Sequence, residues 1–179
     1  MEIINGERLV LGTCYYPEHW DESLWRDDLK RMLENGIEVI RIAEFAWSKI
    51  ERYEGVFNYD FFDRFLDVAA DMGMKVIFCT PTATPPAWLT EKYPEVLNAN
   101  MDGVLYRHGG RRHYNYNSPK YQELTTIIVE KSASHYAKHP AIIGWQIDNE
   151  LNCEKNEFYS ESDTIAFRKF LMEKYGSID

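Results

Sequence analysis

The sequence predicts an α/β fold: a parallel sheet of about four strand–helix units, the first half of an eight-fold (β/α)8 TIM barrel. Three observations lead there. Short apolar runs recur at intervals of about thirty residues. Stretches with helical apolar spacing and recognisable ends lie between them. Aromatic and polar segments follow the strand ends, where barrel loops bind substrate. An eight-fold barrel needs about 250 residues, and the chain has 179, so it reads as one domain, 1–179, ending before the later strands. An open doubly wound sheet is the competing architecture. It would normally carry a glycine-rich turn after the first strand, and Cys14-Tyr15-Tyr16-Pro17 occupies that turn instead.

The first strand is read in Leu9-Val10-Leu11-Gly12 and the residues leading to Pro17. Asp21 suits a helix N-cap, and Leu24, Trp25, Leu29, Met32 and Leu33 form an apolar stripe that Asn35-Gly36 ends. Strand two is Ile37 to Ala43. Asn58-Tyr59-Asp60 opens a second helix with the stripe Phe61, Phe62, Phe65, Leu66, Ala69 and Met72, closed by Gly73. Strand three is Met74 to Cys79.

The rhythm then breaks. Thr80 to Asn117 is long for a connection, which predicts function or local structure. A short helix is expected from Ala87 to Tyr93. Ser118-Pro119 is an N-cap with a first-turn proline, opening a helix to about Lys138. Strand four is Ile142 to Ile147, and a last helix is expected from Thr164 to Tyr175, capped by Asp163 and ended by Gly176.

Composition narrows the chemistry. The 29 acidic and 20 basic residues give a net charge of −9, the wrong sign for a nucleic-acid surface and compatible with a neutral substrate. Aromatics reach 15%; they can fill a bulky core or line a sugar-binding cleft, since Trp and Tyr offer a flat apolar face with a polar edge. The three cysteines, Cys14, Cys79 and Cys153, form no CxxC pair, so neither a disulfide framework nor a zinc cluster is signalled. Reduced thiols in a cytoplasmic protein are the expectation. The first twelve residues do not read as a signal peptide, and no run is long enough to span a bilayer. No membrane partner is expected.

The polar residues at strand ends are the candidates for chemistry. Strand four ends in Asp148-Asn149-Glu150. A carboxylate there is placed as a barrel places a catalytic acid. Trp145 and Ile147 share one face of that strand by alternation. An apolar surround of that kind would favour the neutral, proton-donating form of Glu150. Asn149 could bond a substrate hydroxyl, and Asp148 could point away and serve structure. The alternative is a loop cap that binds water. Arg41 interrupts strand two and calls for a carboxylate partner.

Arg107-His108-Gly109-Gly110-Arg111-Arg112-His113 holds five basic side chains in seven positions. It could be a solvated loop, a phosphate cradle without P-loop spacing, or an arginine fork reaching over the strand ends. Asp148, Glu150, Cys153 and Glu154 make a weak metal set, because no His joins them and a lone thiol among oxygens suits few metals.

Five ordered segments, CYYPEHW (14–20), RIAEFAW (41–47), TPTATPPAWL (80–89), GGRRHYNYNSP (109–119) and WQIDNE (145–150), together resemble glycoside hydrolase family 42, the β-galactosidases. The resemblance runs from about Leu9 to Asp179. It implies a retaining glycosidase on a (β/α)8 barrel, with acid/base after strand four and nucleophile after strand seven. It implies that Glu150 is the proton donor, that Asn149 contacts galactose, that Arg111 binds substrate and that Arg41 supports the nucleophile. Some members bind zinc through cysteines; here Asn115 stands at the first such position and only Cys153 follows Glu150, so no metal and no cofactor are expected.

The resemblance also implies that the nucleophile belongs to a second half outside these residues. An isolated chain is then expected to be inactive. The alternatives are a galactoside-binding half-barrel without catalysis, and a related glycosidase for another sugar. Homo-oligomerisation would cover open sheet edges.

Overall fold

A computed structural model describes residues 9–151 and 156–177 of the chain. Its elements alternate as the spacing predicts. Strand β1 (Leu11–Cys14) leads to helix α1 (Trp25–Glu34) and strand β2 (Ile37–Ile42). Then come a one-turn helix α2 (Trp47–Ile50), a small hairpin of β3 (Glu51–Tyr53) and β4 (Val56–Phe57), and helix α3 (Asp60–Asp71). Strand β5 (Lys75–Cys79), helices α4 (Ala87–Lys92) and α5 (Pro119–Tyr136), strand β6 (Ile142–Gln146) and helix α6 (Glu161–Tyr175) complete the order.

The main sheet is parallel, four-stranded, and ordered β1-β2-β5-β6. Each new strand is added on the same side of the last. A doubly wound sheet reverses direction at a switch point, and this one does not. Gly12 lets β1 approach β2 closely, because a Cβ there would lie 3.0 Å from the Val39 carbonyl oxygen.

Alternation along the strands separates two faces. Ile40, Ile42, Val76 and Phe78 are fully buried and pack under the helices. Trp25 and Leu29 of α1, Phe62, Phe65 and Leu66 of α3, and Leu124 and Ile128 of α5 meet them there. Phe78 contacts Phe62 edge-on and lies against Tyr136 and Trp145. Arg41 and Gln146 look out from the opposite face. This is an α/β layer with its helices on one side, consistent with part of a TIM-barrel-like domain.

Local chemistry accounts for the boundaries. Asp21 accepts a hydrogen bond from the Ser23 amide, as its capping role requires, although the first turn it opens is 3-10. Gly36, with φ 79°, closes α1 in the left-handed region. Ser118 caps α5 and Pro119 enters it. The β-branched run within Thr125 to Val129 stays helical under that cap.

Two expectations are corrected, and two short features are additional. The last helix begins at Glu161, and its N-cap is Ser160; Asp163 is the third helical residue of a capping box, its carboxylate accepting from the Ser160 amide. The sequence positions of the two residues suit either as a cap, and the reciprocal pair decides. Strand one starts at Leu11, two residues later than expected. The short α2 and the β3–β4 hairpin went unread because their apolar positions are too few to show a period.

The long connection after β5 carries its own structure. Trp88 Nε1 donates to the Glu51 carbonyl at 3.0 Å, and Tyr121 Oη to the Thr82 carbonyl at 2.8 Å. Isolated bridges join Leu97 to Tyr114 and Ala99 to Leu105. These contacts fold the basic segment back over the strand ends. Among the described residues no helix is long and apolar enough to cross a membrane.

Candidate active site

The C-terminal ends of the four strands share one hydrogen-bonded rim. Arg41, on β2, is its centre. Its guanidinium donates to Glu44 Oε1 at 2.7 Å, to Gln146 Oε1 at 2.6 Å and to Cys14 Sγ at 3.0 Å. The carboxylate expected beside Arg41 is therefore Glu44, three residues on. Glu44 is 1% exposed, so its negative charge depends on this arginine and on neutral donors. Tyr16 Oη donates to it at 2.6 Å, and Cys79 Sγ lies 3.7 Å away. Burial, then the hydrogen bond to Glu44, pushes the Tyr16 phenol up to about 12. Burial, then the Glu44 charge, does the same to the Cys79 thiol. Both stay protonated near neutrality and serve as donors.

The turn after β6 is built around a second arginine. Arg112 is 4% exposed. It donates to the backbone carbonyls of Asn149 and Glu150 and to the Tyr116 hydroxyl, and to Tyr114 Oη at 2.5 Å; Asp148 Oδ1 lies 3.5 Å away. Asp148 is buried and turned inward. It accepts from the Asn149 amide at 2.5 Å, while its own amide donates to Thr80 Oγ1 at 2.7 Å. The structural role read for Asp148 is the one it occupies.

The backbone here is unusual. Among the described residues four non-glycine positions have positive φ: Ala43 (71°), Arg112 (57°), Asp148 (54°) and Glu150 (46°). One follows β2, two follow β6, and the fourth is the arginine that holds the β6 turn. Such conformations cost of order 1–3 kcal/mol each and cluster at functional sites.

Glu150 ion-pairs with Arg111, and both side chains are about half exposed. The arginine fork reaching over the strand ends is thus realised twice, by Arg111 toward a side chain and by Arg112 toward the backbone. The apolar surround expected for Glu150 is not present among the described residues. Trp145 turns to the helical side against Phe78, and Ile147 is 73% exposed. β6 ends at Gln146, and Asp148 and Glu150 take positive φ, so the strand's alternation does not carry on to Glu150. Asn149 lies between Gln146, whose Nε2 is 3.2 Å from Asn149 Oδ1, and Arg112.

Two members of the rim, Tyr16 and Gln146, are not singled out by the sequence, and Arg112 is marked only as one of five basic side chains in its segment. Tyr16 and Gln146 do lie in segments that end strands, which is the signal that could have found them.

Among the described residues no three His, Cys, Asp or Glu side chains converge to hold an ion. Asn115 is fully buried, and its amide is taken up by Ser160 and by Asp163 Oδ2 at 2.7 Å. A neutral amide so engaged is a poor zinc ligand. Cys153 and Glu154 lie outside the described residues, so the four-residue set with Asp148 and Glu150 is not described as a whole.

Comparison with known proteins identifies the family. The profile of glycoside hydrolase family 42, described as beta-galactosidase, matches residues 14–179. The β-galactosidase Bga of Halorubrum lacusprofundi is 42% identical over 170 residues, covering 94% of this chain and 24% of that protein. The β-galactosidase BgaA of a Thermus species is 43% identical over 171 residues, covering 95% and 26%. The crystal structure of a β-galactosidase from the psychrophilic Marinomonas ef1 superposes with a TM-score of 0.91 at 43% identity, covering 94% of this chain and 26% of that one. The chain thus spans about a quarter of the length of these relatives. The match is continuous across all four strand ends, and by sequence and fold alike the chain belongs to the β-galactosidases of glycoside hydrolase family 42.

Proposed function

We propose that this chain supplies the acid/base side of a retaining β-galactosidase site, as the first half of a (β/α)8 barrel whose second half carries the nucleophile. The observation that carries the reading is Glu150: a carboxyl at the end of β6, on a strained turn, facing an arginine across an open rim. The substrate class is a terminal β-D-galactoside. Glu150 protonates the glycosidic oxygen as the aglycone leaves, then as a carboxylate takes the proton of the water that releases the galactosyl-enzyme. Retention needs the two carboxyl groups about 5–5.5 Å apart. Glu44 is not the second, because it is buried and committed to Arg41 and Tyr16.

Arg111 gives the cycle a starting state. In the free chain it is paired with Glu150 at the rim. To act as an acid, Glu150 must be protonated and released, and an arginine this exposed can turn to a substrate hydroxyl as the sugar enters. Asn149 is placed to bond a hydroxyl beside it.

The test uses a chain that carries the complete barrel. Replacing Glu150 by Gln should slow galactosides with poor leaving groups by about 10²–10⁴-fold and activated aryl galactosides far less. Equal losses on both would remove Glu150 from the acid role. Turnover of aryl β-galactoside compared with β-glucoside and α-arabinoside tests the sugar.

A further inference from the structure

We infer that Gln146 is a positioning residue that fixes which end of the Asn149 amide faces the substrate. The inference rests on Asn149 lying at the sugar site, as proposed above, and extends it to a residue that does not touch the sugar.

The argument follows donors and acceptors along the rim. An arginine only donates. Arg41 is 2.6 Å from the Gln146 side chain, so the atom it meets must be the oxygen, Oε1. The Gln146 nitrogen, Nε2, is thereby turned the other way. There it lies 2.8 Å from the Asp148 carbonyl oxygen, which only accepts. Both ends of the amide give the same orientation independently. Nε2 also reaches the Asn149 side chain at 3.2 Å, and a donor there requires Asn149 to present its oxygen inward. The Asn149 nitrogen is then left outward, and among the described residues it has no protein acceptor. Glu44 anchors the other end of the relay by holding the Arg41 fork. A buried carboxylate thus orients, through Arg41 and Gln146, an amide two strands away. Asn149 meets a sugar hydroxyl as an N–H donor, and the hydroxyl accepts.

Replacing Gln146 by Glu keeps size and the Arg41 contact but removes the donor. A carboxylate oxygen would then face Asn149, whose amide turns over and offers an acceptor to the sugar. Replacing Asn149 by Ala removes the same donor directly, without setting a second carboxylate against the first. In a chain with the complete barrel, each change should lower kcat/KM on an aryl β-galactoside by about ten- to a hundredfold. The double variant should be no worse than the poorer single, because both act on one hydrogen bond. Losses that multiply, or an unchanged Gln146→Glu enzyme, would overturn the relay.

A second measurement does not depend on catalysis. In side-chain amide spectra of the 179-residue chain, the Gln146 NH2 protons should exchange with water more slowly than those of Asn149. Equal or reversed rates would overturn the orientation even if the enzyme behaves as proposed. If the exchange order holds but Glu150→Gln affects all leaving groups alike, the functional reading fails and the amide geometry stands.

Discussion

Arg41 and Arg112 both reach the strand-end rim, and they are held in opposite ways. Arg41 grows from a strand, and its partners are side chains: Glu44, Gln146 and Cys14. Nearly a third of it remains exposed. Arg112 sits on a loop at positive φ, and its partners are mainly backbone carbonyls and tyrosine hydroxyls. Its side chain is 3% exposed. One arginine is a charge presented at an open surface, tuned by what surrounds it. The other is a buttress that fixes a turn from inside. The difference teaches that a basic residue near the carboxyl proposed as the acid/base can be committed to the fold, and burial with backbone partners marks the one that is.

The largest effect should come from removing the buttress. Arg112→Met leaves Asp148 and two turn carbonyls buried without their cation, a change worth roughly 3–5 kcal/mol. Urea denaturation should show the loss as a lower midpoint at unchanged slope. Arg112→Lys keeps the charge but not the fork and should fall between. If Arg112→Met matches the parent in stability, the turn is held by something else and the contrast with Arg41 collapses.

A smaller effect is expected at Arg41. Arg41→Met leaves Glu44 buried without its cation and should cost about 2–3 kcal/mol, below the roughly 3–5 kcal/mol of a fully uncompensated buried charge, since Glu44 keeps the Tyr16 and Cys79 donors and one side of the arginine already faces solvent. The same denaturation series ranks the two. A loss at Arg41 larger than at Arg112 would reverse their assigned roles.

Not all of this rim was legible in the sequence. The parallel α/β architecture was, because strands near Ile37–Ile42 and Lys75–Cys79 and the stripe of α3 repeat their periods clearly. Arg41's need for a carboxylate was legible too, since an arginine inside an apolar strand is costly alone. Which carboxylate was not: Glu44 reaches back over three residues only because Ala43 takes positive φ, and no local rule foretells that for alanine. The division of labour between Arg111 and Arg112 was equally hidden. Adjacent residues of one type differ here by the direction of the chain, which the loop's packing sets. The surround of Glu150 was hidden because β6 ends at Gln146 and the chain turns at positive φ at Asp148 and Glu150, where strand alternation no longer applies.

The smallest effect tests whether the β6 turn is strained for its own sake. Glu150→Ala and Glu150→Gly both delete the carboxyl and its ion pair with Arg111, so that contribution cancels between them. They differ in the backbone alone. At φ 46° an L side chain costs about 1 kcal/mol or more that glycine does not. Against that, glycine loses about 0.4–1 kcal/mol through the greater freedom of its unfolded chain. Glu150→Gly should therefore equal or exceed Glu150→Ala in stability by up to about 1 kcal/mol. At an ordinary helical position the order is reversed by roughly 0.5–1 kcal/mol, so even equality would be informative. Matched urea midpoints of the two variants measure it. An alanine variant clearly more stable than the glycine variant would mean that the turn relaxes once the carboxyl is gone. The strain would then belong to the pairing of Glu150 with Arg111 and not to the Arg112 buttress beneath it.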